Sequence, residues 1–373
     1  MGKTGDDFMI IKNGNFSEVF QHIALKNVFI YGAGKNAREL FDNYQESLKK
    51  IHIISMIDNN CCKQKTGFRV EEYVYPVISE KEFLEMATNL NETIILLTIG
   101  DFWGVLDSLE SNVSLKGLTC YLYPLIKLEE QDKGVYDVVI PVNTLKSDGE
   151  FYIPPVIHYC WFGGAPLPKL AQECIESWEK YCPNYEIKLW NEKNYDISKN
   201  SYMLSAYKEK KWAFVADYAR VDIINECGGI YLDTDVEIMR SFDMLRREKA
   251  FSGFESGKYV SFGLGFGSVA NNPILCDLLK LYDELPWDGG RVACPIYQTK
   301  ILEDHGMIRK NFFQKLDNMT ILPVRYMSPI SVNSGRKHYN TDAFSIHHFV
   351  GSWLEGRTKQ WAELKRLAVY EGH

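Results

Sequence analysis

The sequence predicts an α/β protein built as two successive domains, and three observations carry that reading. From residue 27 to residue 145 short apolar runs alternate with amphipathic segments of helix length; a polar stretch at 146–150 interrupts them; a second βαβ-like series begins at Ile153. Such alternation is the signature of a parallel sheet with helices on its faces. The expected domains are 1–147 and 148–373.

Composition sets the outer bounds. With 373 residues, 46% hydrophobic and 24% charged, the chain is ordinary globular material, long enough for two cores. A net charge of −7 argues against a nucleic-acid surface as its main business. The N-terminal stretch MGKTGDDFMIIKNG lacks a basic segment followed by an apolar one and does not read as a signal peptide. TIILLTIG (93–100) is too short to cross a bilayer and suits a buried strand. Nine cysteines without CxxC or zinc-ligand spacing read as reduced thiols, so a cytoplasmic protein is expected.

In the first half the strands are NVFIYG (27–32), IHIISMID (51–58) and TIILLTIG (93–100), with helices at 37–50 and 79–90 between them. The first strand runs into Gly32-Ala33-Gly34-Lys35-Asn36-Ala37, a GxGxxA turn, and Asp58 closes the second strand. In a Rossmann-like fold such glycines let the backbone approach a pyrophosphate and such an acid reaches a ribose hydroxyl. Gly32, Gly34, Ala37 and Asp58 are therefore candidates for holding a dinucleotide or nucleotide. The same glycines also serve a plain tight turn, and both readings stand. This half resembles the small Rossmann-like modules that accompany sugar-modifying and sugar-transferring domains in bacterial polysaccharide proteins.

The second half opens with IPPVIHYCWFGGAPLP (153–168), a strand leading into an aromatic pair and a glycine turn. A helix (170–183), the strand EIKLWN (186–191) and the helix AFVADYARVDIINECGG (213–229) follow; in the last, Phe214, Tyr218, Val221 and Ile224 recur at helical spacing and Gly228 and Gly229 end it. Asp217 and Arg220, three apart, share a helix face. The stretch GGIYLDTDVEI (228–238) reads as one strand with Ile230, Leu232, Thr234, Val236 and Ile238 on a core face and Tyr231, Asp233, Asp235 and Glu237 on the other. Carboxylates on alternate strand residues stand about 7 Å apart and repel unless they are solvated or bridged by a cation. Mn²⁺ or Mg²⁺ accepts such oxygens and also holds a diphosphate; a solvated edge strand with an acidic face has the same pattern.

Four segments in order, IPPVIHYCWFGG, IKLWN, AFVADYARVDIINECGGIYLDTDVEI and IHHFVGSW (346–353), resemble the bacterial capsular-polysaccharide glycosyltransferases with a sugar-binding DxD region, related to yeast initiating α-mannosyltransferases and clostridial glucosylating toxins. The resemblance spans most of 151–355. It implies a GT-A fold for the second domain, a nucleotide-sugar donor, a divalent metal, retention of anomeric configuration, and a glycan or lipid-linked glycan acceptor. Carried over by position, Asp233 and Asp235 resemble the metal and diphosphate centre, Tyr231 an aromatic beside the donor, Asp217 the acceptor of sugar hydroxyl hydrogen bonds and Arg220 its basic partner. Trp161 and Phe162 lie where the family stacks the nucleotide base, and Ser352 and Trp353 where it closes over the diphosphate. Either His347 or His348 completes the metal shell: adjacent residues on a strand face opposite ways, so one of them can point into the site.

Two other functions fit parts of the chain: a nucleotide-sugar oxidoreductase or epimerase using the first domain, and a non-catalytic sugar-nucleotide sensor. The first lacks a recognisable Tyr-x-x-x-Lys or catalytic cysteine in the first half. GRTKQWAELKRLAVY (356–370) has Arg357, Lys359, Lys365 and Arg366 beside Trp361, Leu364 and Leu367, a pattern for packing on the catalytic domain or for peripheral contact with the inner face of a membrane.

Overall fold

The computed structural model describes residues 9–141, 144–145, 148–351 and 354–370. The chain forms two compact units. The first gathers Met1–Lys133, Asn333–Arg336 and Glu363–His373, and the second gathers Gly134–Val332 and Lys337–Ala362. The division thus falls at Lys133/Gly134, and two later segments belong to the first unit, which a reading as two consecutive blocks does not contain. A four-residue segment is too short to show a period, so sequence pattern could not assign it.

The first unit is built on a seven-stranded sheet in the order Val369–Tyr370, Ile10–Asn13, Thr119–Leu122, Thr93–Leu97, Asn27–Tyr31, Ile53–Ile57, Val77–Ile78. Every pairing in it is parallel. Thr93–Leu97 is buried along its whole length, as expected of a central strand with both faces covered. The helix Lys35–Leu48 buries Ala37, Leu40 and Phe41 against this sheet. The strand order reverses beside Asn27–Tyr31: the chain moves outward to Ile53–Ile57 and Val77–Ile78, then returns to Thr93–Leu97 on the other side. In such sheets ligands bind outside the carboxyl ends of the strands at the reversal. Arg336 joins the unit through Glu18, whose two carboxylate oxygens lie 2.8 and 2.9 Å from its guanidinium, and through buried Glu129 at 2.7 Å. The tail enters as the strand Val369–Tyr370, in register with Lys12 and Asn13. The last residues of the helix Gly356–Leu367 therefore belong to the first unit and not to the second.

The second unit holds a mixed seven-stranded sheet in the order Glu186–Trp190, Val156–Cys160, Gly229–Tyr231, Phe266–Ser268, Ala250–Gly253, Thr320–Leu322, Gln314–Lys315. The helix Trp212–Cys227 is buried on every side from Phe214 to Ile224, including Asp217, Arg220 and Asp222. Its sequence shows one apolar stripe; the polar residues between are buried because each finds a partner, as when Asp222 accepts from Tyr195 and Lys199 at 2.6 and 2.8 Å.

The stretch 228–238 is not one strand. Gly229–Tyr231 belongs to the large sheet, 232–235 leaves it through a turn in which the Val236 amide donates to the Asp233 carbonyl at 3.0 Å, and Val236–Ile238 pairs antiparallel with Ser345–His347. Asp-Thr-Asp is turn chemistry, since Asp side chains compete with strand pairing for nearby amides. Among the described residues no helix is long and apolar enough to cross a membrane.

Candidate active site

The turn brings the two acids closer than a straight strand allows. Ligand atoms of Asp233, Asp235 and His347 all lie within 4.8 Å of one another. His347 arrives because its strand pairs with Val236–Ile238, which sets it opposite Val236. Its Nε2 is 3.1 Å from Asp235 Oδ1, while His348, facing the other way, lies 3.1 Å from Glu237. Asp235 Oδ2 accepts the Val350 amide at 3.0 Å. Burial pushes Asp235 up, but the His347 charge, its hydrogen bond and the Val350 amide outweigh that and hold the carboxyl at about 2. For His347 burial acts downward, and Asp235, with Asp233 and Glu255 adding to it, more than reverses it, so the imidazole titrates above its ordinary value.

Behind the acids, Arg220 reaches Asp217 Oδ1 at 3.1 Å and Asp233 Oδ1 at 3.2 Å with one nitrogen, and its Nε donates to the Ala216 carbonyl at 3.1 Å. Asp217, sealed in the helix, is raised to about 6 by burial, with Arg220 opposing. Asp233 is raised for the same reason and against the same partner. The Tyr231 ring is 1% exposed beneath Arg220, and its hydroxyl donates to Asp233 Oδ1 at 3.0 Å. It meets the site through its hydroxyl on Asp233 and through the ring face under Arg220.

Of the aromatic pair, Phe162 is buried in the core against Tyr195, whereas Trp161 keeps partial exposure, its indole N–H donating to the Ala165 carbonyl at 2.6 Å. Trp161 is thus the member of the pair with an accessible face. Ser352 and Trp353 lie outside the described residues.

Four site residues escaped sequence reasoning. A Cβ on Gly263 would stand 2.6 Å from Asp233 Oδ2, 3.0 Å from Arg220 Nη1 and 3.5 Å from Ser261 Oγ, so this glycine keeps open the space on which those groups converge. Glu255 lies within electrostatic reach of Asp233, and Cys294 within electrostatic reach of Asp217. Nothing in the spacing of these residues signals a site; only the chain's return past the turn brings them there.

In the first unit Gly32 takes φ +106°, and a Cβ there would lie 2.7 Å from Ile99, so glycine is required at the turn. Ala37 packs in the core. Asp58 is already engaged by its own chain, accepting from the Ala33 and Asn60 amides at 3.2 and 3.0 Å and from Lys63 at 2.6 Å. Beside Gly34 an open cleft of about 570 Å³ is lined by Lys35, Arg38, Thr66, Phe68 and Arg69, a cationic set without an acid among it.

Residues 168–252 match the family described as glycosyltransferase sugar-binding region containing DXD motif, so the chain carries such a region, with Asp233 and Asp235 inside it. Human alpha-1,4-N-acetylglucosaminyltransferase is 24% identical over 164 residues, covering 40% of this chain and 45% of that protein. The chain therefore spans less than half the length of that relative. Among solved structures, PaToxG glycosyltransferase is 18% identical, covering 41% of this chain and 69% of its own at a TM-score of 0.34. A glycosyltransferase involved in glycosylation of the major capsid of PBCV-1 is 14% identical, covering 57% and 100% respectively at a TM-score of 0.33.

Proposed function

We propose that the chain is a metal-dependent glycosyltransferase of GT-A type that moves a sugar from a nucleotide-sugar donor to a glycan or lipid-linked glycan, with retention of configuration. The observation that carries this reading is the convergence of Asp233, Asp235 and His347 within a region matched to glycosyltransferases. The donor set suits a divalent cation: two carboxylate oxygens and one imidazole nitrogen at a spacing one ion can bridge, with His347 Nδ1 buried and without a hydrogen-bond partner among the described residues. Asp233, Asp235 and His347 would hold Mn²⁺ or Mg²⁺, which would supply Lewis-acid stabilisation of a departing diphosphate.

The chain's own residues do the rest. Arg220 is a fixed positive charge at the rear of the site, held by two acids so that no reorganisation is needed as negative charge develops on the leaving group. Asp217, raised to about 6 by burial, is ionised at neutral pH and accepts hydrogen bonds from sugar hydroxyls. Trp161 offers the face on which a base stacks. The acceptor hydroxyl attacks on the face the diphosphate leaves, passing its proton to the departing phosphate. The acceptor class, in capsular or surface polysaccharide synthesis at the inner face of the membrane, follows from the sequence resemblance. The test is release of free sugar from UDP-glucose, UDP-galactose, UDP-N-acetylglucosamine and GDP-mannose by the full chain, with and without Mn²⁺. Metal-dependent hydrolysis of one donor is expected; absence of hydrolysis, together with no binding of UDP or GDP in Mn²⁺, would defeat the reading.

A further inference from the structure

We propose that the first unit binds a small molecule bearing a diphosphate, in the open cleft beside Gly34, and that it grips this ligand by the phosphates. The inference is independent of the activity proposed for the second unit. The cleft measures about 570 Å³, within the range of small-molecule sites and larger than a single phosphate needs. One wall is the turn from the strand Asn27–Tyr31 into the helix Lys35–Leu48, with Gly34, Lys35 and Arg38; the other follows the helix Cys61–Thr66, with Thr66, Phe68 and Arg69. The cleft thus opens beyond the carboxyl end of Asn27–Tyr31, where the strand order reverses.

Both walls are held in place by the protein itself. The Gly32 amide donates to the Ile57 carbonyl at 2.8 Å, and Thr98 Oγ1 donates to the Gly32 carbonyl at 2.8 Å, so the turn is pinned from both sides. Across the cleft, Phe68–Val70 pairs antiparallel with Tyr73–Tyr75, and Phe68 packs on Phe41 of the helix with ring centroids 5.5 Å apart. Arg38 joins the two walls: its guanidinium lies 4.5 Å from the centroid of the Phe68 ring, and its Nη1 donates to the Arg69 carbonyl. That sets the plane of the guanidinium and leaves its Nε and Nη2 without a hydrogen-bond partner among the described residues.

The charge in the cleft is one-sided. Lys35, Arg38 and Arg69 line it with no acid beside them, and none of the three is in an ion pair among the described residues. The nearby acids are matched elsewhere, Glu39 with Lys127 at 2.8 Å and Asp58 with Lys63 at 2.6 Å. The helix Lys35–Leu48 starts here at Gly34 with no side chain capping its first amides, which adds donors and partial positive charge to the same space. Three cations around one cleft repel one another, and a multiply charged anion relieves that repulsion. Two linked phosphates can meet the helix end and the arginines of the facing wall together, where one phosphate meets only part of the set. Asp58, the acid spaced to hold a ribose, is occupied by the Ala33 and Asn60 amides and by Lys63, so recognition falls to the phosphates and not to a nucleoside.

The test is calorimetry on the full chain at low salt in EDTA, which silences a cation-dependent site in the second unit, with inorganic phosphate, pyrophosphate, ADP, UDP and NAD⁺ as probes. At least one diphosphate-bearing probe should bind at least about 10-fold more tightly than phosphate. Gly34→Asp is the first variant: Gly34 has extended backbone at φ −123° and nothing within 4 Å of an added Cβ, so aspartate fits, and its carboxylate caps the amides a phosphate would use. It should melt no earlier than wild type and yet lose at least about 10-fold in affinity, and Arg38→Gln should lose about as much. Pyrophosphate as the tightest probe would support the site with an inorganic ligand; ADP, UDP or NAD⁺ as the tightest would support it with a nucleotide. No binding of any diphosphate by the wild-type chain, equal affinity for phosphate and the diphosphates, or affinity unchanged in either variant would overturn the assignment. Any of these leaves the metal-dependent activity of the second unit standing, and absence of that activity leaves this site standing.

Discussion

One nitrogen of Arg220 lies 3.1 Å from Asp217 and 3.2 Å from Asp233, so a single buried guanidinium ties the helix Trp212–Cys227 to the turn that carries the acids. Its geometry matters as much as its charge, because Nε is committed to the Ala216 carbonyl and the fork is thereby aimed. Arg220→Lys should lower donor hydrolysis by about 100-fold or more although the charge is kept, and should lower the melting temperature, because an ammonium lacks the planar fork that spans Asp217, Asp233 and the Ala216 carbonyl at once. Steady-state kinetics and a thermal melt check both parts.

Asp235→Asn should abolish Mn²⁺-dependent binding of UDP and leave the melting temperature close to wild type, since Asp235 holds His347 and one loop amide but no buried guanidinium. Asp233→Asn should lose the same binding and also melt earlier, because Arg220 then loses one of its two counter-charges. Calorimetry beside differential scanning of both variants separates the two effects.

Asp217→Ala should reduce hydrolysis by orders of magnitude while bare UDP binds nearly as well as before, since the proposed partners of Asp217 are sugar hydroxyls. A parallel loss for both ligands would mean that Asp217 acts only by holding Arg220.

Gly263→Ala places a methyl group 2.6 Å from Asp233 Oδ2 and 3.0 Å from Arg220 Nη1. Asp233 must then move, so Mn²⁺-dependent UDP binding should weaken at least about 10-fold in a protein that still folds, as a displaced charged hydrogen bond costs about 1.5–3 kcal/mol. Binding equal to wild type would show that the space in front of Gly263 is not part of the site.

His158 sets an acid limit on stability. Burial is the main cause that takes its imidazole down to about 4, with Lys188 adding to it and the Gly228 carbonyl opposing. Nδ1 accepts the Trp190 indole N–H at 2.9 Å, so Nε2, 3.1 Å from the Gly228 carbonyl, carries the proton. Because the folded-state pKa is depressed, the unfolded chain binds the extra proton first: stability is full above about 6.5 and falls as pH drops toward about 4, by roughly 3 kcal/mol at most from this group. Urea melts at several pH values should show that slope, and NMR should show His158 as the neutral Nε2–H tautomer at pH 5.5.

The elements long enough to carry a period were legible in the sequence, and the strands of two to four residues were not. Asn27–Tyr31, Ile53–Ile57 and Thr93–Leu97 follow from apolar runs of strand length, and Trp212–Cys227 from its spacing and the glycines after it. Asp233, Asp235 and the histidine pair were legible as types in a pattern. That His347 rather than His348 faces Asp235 was not, because it depends on the register of Ser345–His347 against Val236–Ile238. Glu255, Ser261 and Cys294 were invisible for a related reason: each is unremarkable among its sequence neighbours, and they meet through contacts made far along the chain. The turn at 232–235 was hidden by the alternation of Ile230, Leu232, Val236 and Ile238, which two short strands in different sheets imitate as well as one long strand.

The strand Val369–Tyr370 and the ion pairs of Arg336 give the first unit a dependence on time as well as on sequence. On a translating ribosome that unit's edge stays unpaired until residue 370 has been made and has cleared the exit tunnel, which at about 5–20 residues per second leaves Ile10–Asn13 waiting for tens of seconds after its own synthesis. Until then the growing chain exposes an open sheet edge that chaperones can occupy and that other nascent chains can pair with. A chain cut short before Val369–Tyr370 leaves one edge of Ile10–Asn13 unpaired, and a cut that also precedes Arg336 takes from the buried Glu129 its guanidinium partner.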